Sequence, residues 1–198
     1  MTVDFLGGMG LFTNLALTPA ADPAFDPAKK TFAVDLSNEN MVMTLNAATW
    51  GVAQGNTPIP AGADIYFEAT VLAGAIFEIG VGRGDIWATG NIAGSANAVG
   101  YRSDSGNYVG GWNTGGGGGG YSSGDTIGVA VRRSSEQAFF SRNGVWLLSS
   151  NPATGANPVG IGLNGEIYPT VSAHNTATSL RIRFSNFLYP APAGFSHL

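Results

Sequence analysis

Beyond residue 30, apolar and polar residues alternate with a period of two along most of the chain. In TFAVDL, Phe32, Val34 and Leu36 share a face; in MVMTL, Met41, Met43 and Leu45 do. IYFEATVLA places Ile65, Phe67, Ala69 and Val71 on one side, with Tyr66, Glu68 and Thr70 on the other. AIFEIGVG turns Phe77, Ile79 and Val81 inward and Glu78 outward, and TIGVAVRR turns Ile127, Val129 and Val131 inward. SLRIRF sends Leu180, Ile182 and Phe184 inward and leaves Arg181 and Arg183 in solvent. Successive side chains of a strand point to opposite faces, so each segment predicts a half-buried β-strand. No stretch sustains helical spacing.

The residues between these segments are turn formers. Asn143-Gly144 in FFSRNGVWLL predicts a type I′ hairpin, because both central residues must take positive φ. Pro169 in EIYPTVSA removes a ladder donor and predicts an edge strand or a bulge. The run Gly115–Gly120 has no side chains to pack and predicts a mobile loop. Residues 1–30 depart from the pattern: Gly7, Gly8 and Gly10 interrupt a weakly apolar stretch, and Pro19, Pro23 and Pro27 recur at even spacing. Proline at that density suits neither a helix interior nor a central strand. The expected organisation is an extended arm over residues 1–30, a possible docking segment, followed by an all-β antiparallel two-sheet sandwich over residues 31–198.

Composition narrows the function. The 198 residues suit one domain with a full core, and 44% apolar content separates the chain from disordered polymers. A net charge of −4 argues against nucleic acid as a partner, since that needs a basic face. The absence of cysteine excludes disulfides and thiolate metal sites. Asp4 is acidic and no Lys or Arg precedes Lys29, so no secretory signal is expected. No apolar run approaches the roughly 20 residues that cross a bilayer. The expectation is a soluble protein, at home in a cytoplasm or in a viral particle released on lysis.

Several segments, in order, resemble the SPRY (B30.2-like) domain. IYFEATV looks like its early strand and FEIGVG like the Gly-rich strand that follows. VGYRSDSGNYVG is similar to its Gly-Tyr-x-Ser-Asp-x-Gly signature through Gly100, Tyr101, Ser103, Asp104 and Gly106. SGDTIGVAV resembles a Gly-Asp-x-Ile-Gly strand entry through Gly124, Asp125, Ile127 and Gly128. AFFSRNGVWL is close to the Phe-Phe-x-x-Asn-Gly hairpin, and EIYPTVSAH and LRIRFS look like the Tyr-Pro and closing strands. The resemblance spans roughly residues 60–186, and the ending NFLYPAPAGFSHL resembles the tails of phage and bacterial members. The segment SSNPATGANPVGIG and the glycine run depart from the family. The resemblance implies a bent, concanavalin A-like jelly-roll sandwich serving as a binding module through loops at one end.

The candidate chemistry is sparse. Gly120-Tyr121-Ser122-Ser123-Gly124 spells G-x-S-x-G, but a nucleophile elbow needs a preceding strand and a following helix, and here glycines precede and a strand follows. His174 and His197 lack metal-ligand partners at i+2 or i+4. Glu68 and Glu78 fall on different strands and so do not form a glycosidase pair, while Asp104 and Asp125 read as turn organisers. No enzymatic activity, cofactor or metal is expected. Trp50, Trp87, Tyr108, Trp112 and Tyr121 lie in loop-like contexts and, with Asn113, form the candidate ligand-binding set. Rings beside amides stack on sugars or anchor a peptide, or they simply cap the sandwich. The functional expectation is a non-catalytic binding module on a phage virion or tail, contacting host surface glycan or protein. Alternatives are a structural decoration or fibre subunit docked on other virion proteins through its arm, or an intracellular interaction adaptor. Phe5, Leu6, Leu11, Phe12, Leu15 and Leu17 in the arm invite association, so a homo-oligomer is possible.

Overall fold

The computed structural model describes residues 22–198, which form two packed antiparallel sheets. The first runs, in spatial order, β1 (Phe25–Lys30), β4 (Trp50–Gly55), β13 (Ile167–His174), β6 (Ile76–Arg83), β7 (Ala98–Arg102) and β8 (Tyr108–Val109). The second runs β11 (Val145–Trp146), β10 (Gln137–Arg142), β9 (Thr126–Arg132), β5 (Asp64–Ala73), β14 (Ser179–Arg183), β3 (Val42–Leu45) and β2 (Val34–Ser37). A short strand, β12 (Gly160–Ile161), also pairs with β10.

The expected alternation builds the core. Phe67, Ala69 and Val71 of β5 and Ile127, Val129 and Val131 of β9 bury against Phe77, Ile79 and Val81 of β6 and Val171 of β13. Burying each large apolar side chain stabilises the fold by roughly 1.5–3 kcal/mol. The β10–β11 hairpin has the predicted turn, with Asn143 at φ 51 and Gly144 at φ 79.

Both outer faces are also covered, which period-two alternation alone does not foresee. The C-terminal segment lies across the second sheet, where Phe187, Ala191 and Phe195 pack on Tyr66, Ala130 and Phe139. It is pinned by backbone bonds from Tyr66 N to Ser196 O and from Ser196 N to Asp64 O, each 2.9 Å. Residues 84–97, with a 3-10 turn over Ile86–Thr89, cover part of the first sheet by setting Ile86 and Ile92 against Val52 and Ala98. Glycine at 82 and 100 makes room: an added Cβ would stand 2.6 Å from Ile86 Cγ1 and 3.0 Å from Ile92 Cγ2, respectively. Glu68 and Glu78 point outward as expected, yet both are fully buried beneath these covers.

Four sequence expectations change. The sandwich begins before residue 31: Phe25–Lys30, assigned above to the arm, pairs with β4, and Phe25 is fully buried. A register shift between Phe25 and Lys30 lets this edge strand carry Pro27; residues 1–21 of the arm lie outside the described residues. Phe32 does not share the inward face of Val34, because it precedes the strand in a turn and is 85% exposed. Pro169 sits in a central strand, tolerated because pairing with β4 starts one residue later, at Thr170. The glycine run, expected to have nothing to pack, makes close contacts at Gly118 and Gly120, as described next.

Candidate interaction surface

The edge strands β8 and β11 lie on the same side of the sandwich, and residues 110–121 bridge the seam between them. Thr114 N donates to Val159 O at 3.2 Å and Ile161 N to Trp112 O at 3.0 Å, so Trp112–Thr114 runs antiparallel beside β12. The glycines then cross the Tyr101, Tyr108 and Tyr121 rings. Tyr101 stacks at 5.4 Å on Tyr108 and 4.9 Å on Tyr121, and Phe140 lies 5.5 Å from Tyr108. Tyr101 Oη donates to Gly119 O, and Arg142 Nη1 donates to Gly120 O. Gly118 needs its missing side chain, since a Cβ there would come 2.8 Å from Leu147 Cδ1 and 3.0 Å from Tyr108 Oη. At Gly118 the missing Cβ lets the backbone approach this aromatic layer closely.

Tyr108 and Tyr121, expected among ligand-binding loop residues, are therefore buried in this layer. Burial drives both hydroxyls above the usual phenol range. Tyr121 Oη donates to Tyr101 O at 2.7 Å, whereas Tyr108 Oη is buried without a partner. They support the seam from below. Trp112 and Asn113 stand at its surface: Trp112 is half-buried against the core and Asn113 is exposed, with Nδ2 donating to Gly110 O.

Two residues that sequence reasoning missed complete the surface. Leu148 and Ile161 are 43% and 47% exposed. Leu148 Cδ1 lies 3.4 Å from where a Gly115 Cβ would stand, and Ile161 bonds to Trp112. The two therefore border the same extended stretch, at positions roughly 10 Å apart along it. Leu148 takes φ 54 and Ser149 φ 55, a left-handed pair that turns the chain and sends Leu148 to the surface. From Leu148 onward, away from Ile161, the backbone N–H and C=O groups of Gly115, Gly116 and Gly117 make no hydrogen bond with the described residues, and Gly116 and Gly117 are exposed.

Trp50 and Trp87 are elsewhere, on the outer face of the first sheet. Trp50 belongs to β4 and not to a loop; its ring is 5.1 Å from His174 and lies under the Arg102 guanidinium at 5.2 Å. Arg102 forks onto Asp104, with Nε to Oδ1 at 2.7 Å and Nη2 to Oδ2 at 2.9 Å. Its Nη1 reaches Glu78 at 3.1 Å. The fork holds the Asp104 carboxyl below the usual aspartate range. Glu78 also accepts from Ser172 Oγ at 2.6 Å and Ala93 N at 3.1 Å, which ties down the 84–97 cover. Trp87 is 36% exposed on that cover, its amide 3.4 Å from Gln54 Oε1. Asp125 organises a turn as expected, accepting from Ser122 N and Asn143 Nδ2, while Asp104 takes an arginine. Ser122 of the G-x-S-x-G string precedes a strand, so no elbow forms. Among the described residues no cluster of His, Asp or Glu is arranged to hold a metal, and no helix is long and apolar enough to cross a membrane.

No family model and no curated protein matches the sequence. In fold, the SPRY domain of human HERC1 superposes with a TM-score of 0.65 over 80% of this chain and 96% of that one, at 18% identity. The fold is that of a SPRY domain. At that identity the likeness carries the architecture alone. Within the SPRY sandwich, the seam beside β8 and β12 unites exposed apolar side chains, a half-buried tryptophan and unpaired backbone.

Proposed function

We propose that this SPRY sandwich is a non-catalytic module that binds another protein, taking an extended segment of it along the Trp112–Gly117 seam. The observation that carries the reading is the Gly115–Gly117 backbone, unpaired among the described residues, which continues the β12-paired Trp112–Thr114 stretch past exposed Leu148, with exposed Ile161 at the other end. An extended segment pairs with such groups for affinity and seats alternate side chains on the flanking apolar pair for specificity. A glycan reading is weaker on geometry, because Trp50 has Arg102 across its ring and Trp112 packs partly into the core.

The test is selection of a displayed library of random linear peptides on the full chain. Enriched peptides are expected to bind wild type and to lose about tenfold or more in affinity to Leu148→Asp or Ile161→Asp, about 1.4 kcal/mol or more. Enrichment of peptides indifferent to both substitutions would place recognition elsewhere. The setting we favour is a phage particle, from the resemblance of NFLYPAPAGFSHL to tails of phage members. Antibody labelling of purified particles tests it, and absence of the chain from particles contradicts it.

A further inference from the structure

Two arginines stand at one end of the seam without a carboxylate. Among the described residues the ion pairs are made by Lys29, Arg102 and Arg132. Arg83, at the end of β6, has its guanidinium 5.8 Å from the Trp112 ring centroid and donates through Nη2 to Asn164 Oδ1. Arg133 donates through Nη1 to Leu163 O and through Nη2 to Gly165 O at 2.7 Å. Both Nε atoms are buried without partners. The pair thus clasps residues 163–165 from two sides, held by neutral oxygens alone. Arg133 also lines a cavity of about 380 Å3 with Pro58, Ile59, Pro60 and Glu166. Glu166 is itself engaged, accepting from Tyr168 Oη at 2.7 Å, with Lys29 Nζ 3.6 Å from the Tyr168 ring centroid.

In a chain of net charge −4, these two half-buried guanidiniums make no ion pair with the described residues; Arg83 lies beside a tryptophan, and Arg133 lines an apolar cavity that also holds the Glu166 carboxylate. Arginine binds carboxylates through its planar fork, and stacking on an aromatic ring fixes that fork without consuming its donors. We infer that Arg83, whose Nη1 makes no hydrogen bond with the described residues, forms a carboxylate-recognition end of the seam, with Arg133 holding residues 163–165 beside it, so that the bound segment carries an Asp or Glu beyond the residues seated on Leu148 and Ile161. This rests on the peptide-binding reading above and specifies the partner's chemistry.

The experiment uses the same random linear peptides, selected on the full chain. Enriched sequences are expected to share an acidic residue beside an apolar pair. Replacing that acid by its amide in a synthetic peptide is expected to weaken binding to wild type about tenfold and to Arg83→Gln hardly at all. Such a cycle isolates the carboxylate–arginine interaction. The peptide-side change keeps the test sound if Arg133→Gln loosens the residue 163–165 loop. Two results overturn the inference while leaving the seam reading intact: enriched peptides without acids, or an acid whose amide binds equally well, with Leu148→Asp still abolishing binding. Peptides indifferent to Leu148, Ile161 and Arg83 alike would overturn both.

Discussion

The carboxylate of Glu68 receives the backbone amide of Tyr189 at 2.9 Å, 121 residues away in sequence. Leu188 N at 2.8 Å and Tyr66 Oη at 3.0 Å complete its shell. A fully buried carboxyl group is thereby satisfied by neutral donors, and its role is to fasten the C-terminal segment over the second sheet. Glu68→Gln keeps the shape and one acceptor while setting an amide NH2 against N–H donors. It is expected to cost about 1–3 kcal/mol in urea unfolding, the range for a buried group left badly paired. A change inside about 0.5 kcal/mol, the size of ordinary surface effects, would show that the tail holds without this carboxylate.

Two glycines of one run should respond in opposite ways. Gly116 has ordinary φ and nothing within 4 Å of an added Cβ, so Gly116→Ala should be neutral or stabilising by up to about 1 kcal/mol. Gly118→Ala meets Leu147 and the Tyr108 hydroxyl and should cost about 1–3 kcal/mol. Thermal unfolding of the pair checks this, and equal behaviour would mean that the run is not packed on the tyrosine layer.

Tyr121 and Tyr108 beneath the run differ in hydrogen bonding: the Tyr121 hydroxyl faces two carbonyl acceptors, and the Tyr108 hydroxyl has none. Tyr121→Phe removes a donor to Tyr101 O and should cost about 1 kcal/mol. Tyr108→Phe removes a hydroxyl that is buried and unpartnered, so it should leave stability unchanged or raise it. Chemical denaturation of both variants separates them, and a larger loss for Tyr108→Phe would contradict the geometry.

The Asp104–Arg102 fork predicts a dependence on pH. Because the folded-state value of Asp104 lies below the unfolded one, the pair stabilises above the unfolded value, and this contribution is lost as pH falls through the folded value. Asp104 is partly exposed, so the contribution is at most about 1 kcal/mol. The stability difference between wild type and Asp104→Asn should be present at neutral pH and disappear as pH falls below about 4. A difference independent of pH would indicate that the substitution acts through the turn alone.

Much of the sandwich was legible because its strands obey one local rule. Ile65, Phe67, Ala69 and Val71 point inward as their spacing implies, and Asn143-Gly144 turns where its chemistry requires. What stayed hidden depends on distant segments. Nothing near Glu68 announces that residues 188 and 189 will cover it, and nothing in six glycines announces the aromatic layer beneath them. The candidate site was legible in part: Trp112 and Asn113 reach the seam surface, whereas Tyr108 and Tyr121 support it from the core. Trp50 and Trp87 occupy another face. Leu148 was missed because Trp-Leu-Leu after a hairpin turn reads as a continuing strand. A left-handed leucine carries no local signal, and only the surrounding packing imposes it.

Amide hydrogen exchange of the full chain, with and without a selected peptide, tests the seam most directly. Gly115, Gly116 and Gly117 have no acceptors among the described residues and should exchange rapidly in the free protein. Peptide binding should slow them, with little change around Trp50 and Arg102. Protection that appears at Trp50, His174 and Arg102 while Gly115–Gly117 stay fast would contradict the account and move recognition to the outer face of the first sheet.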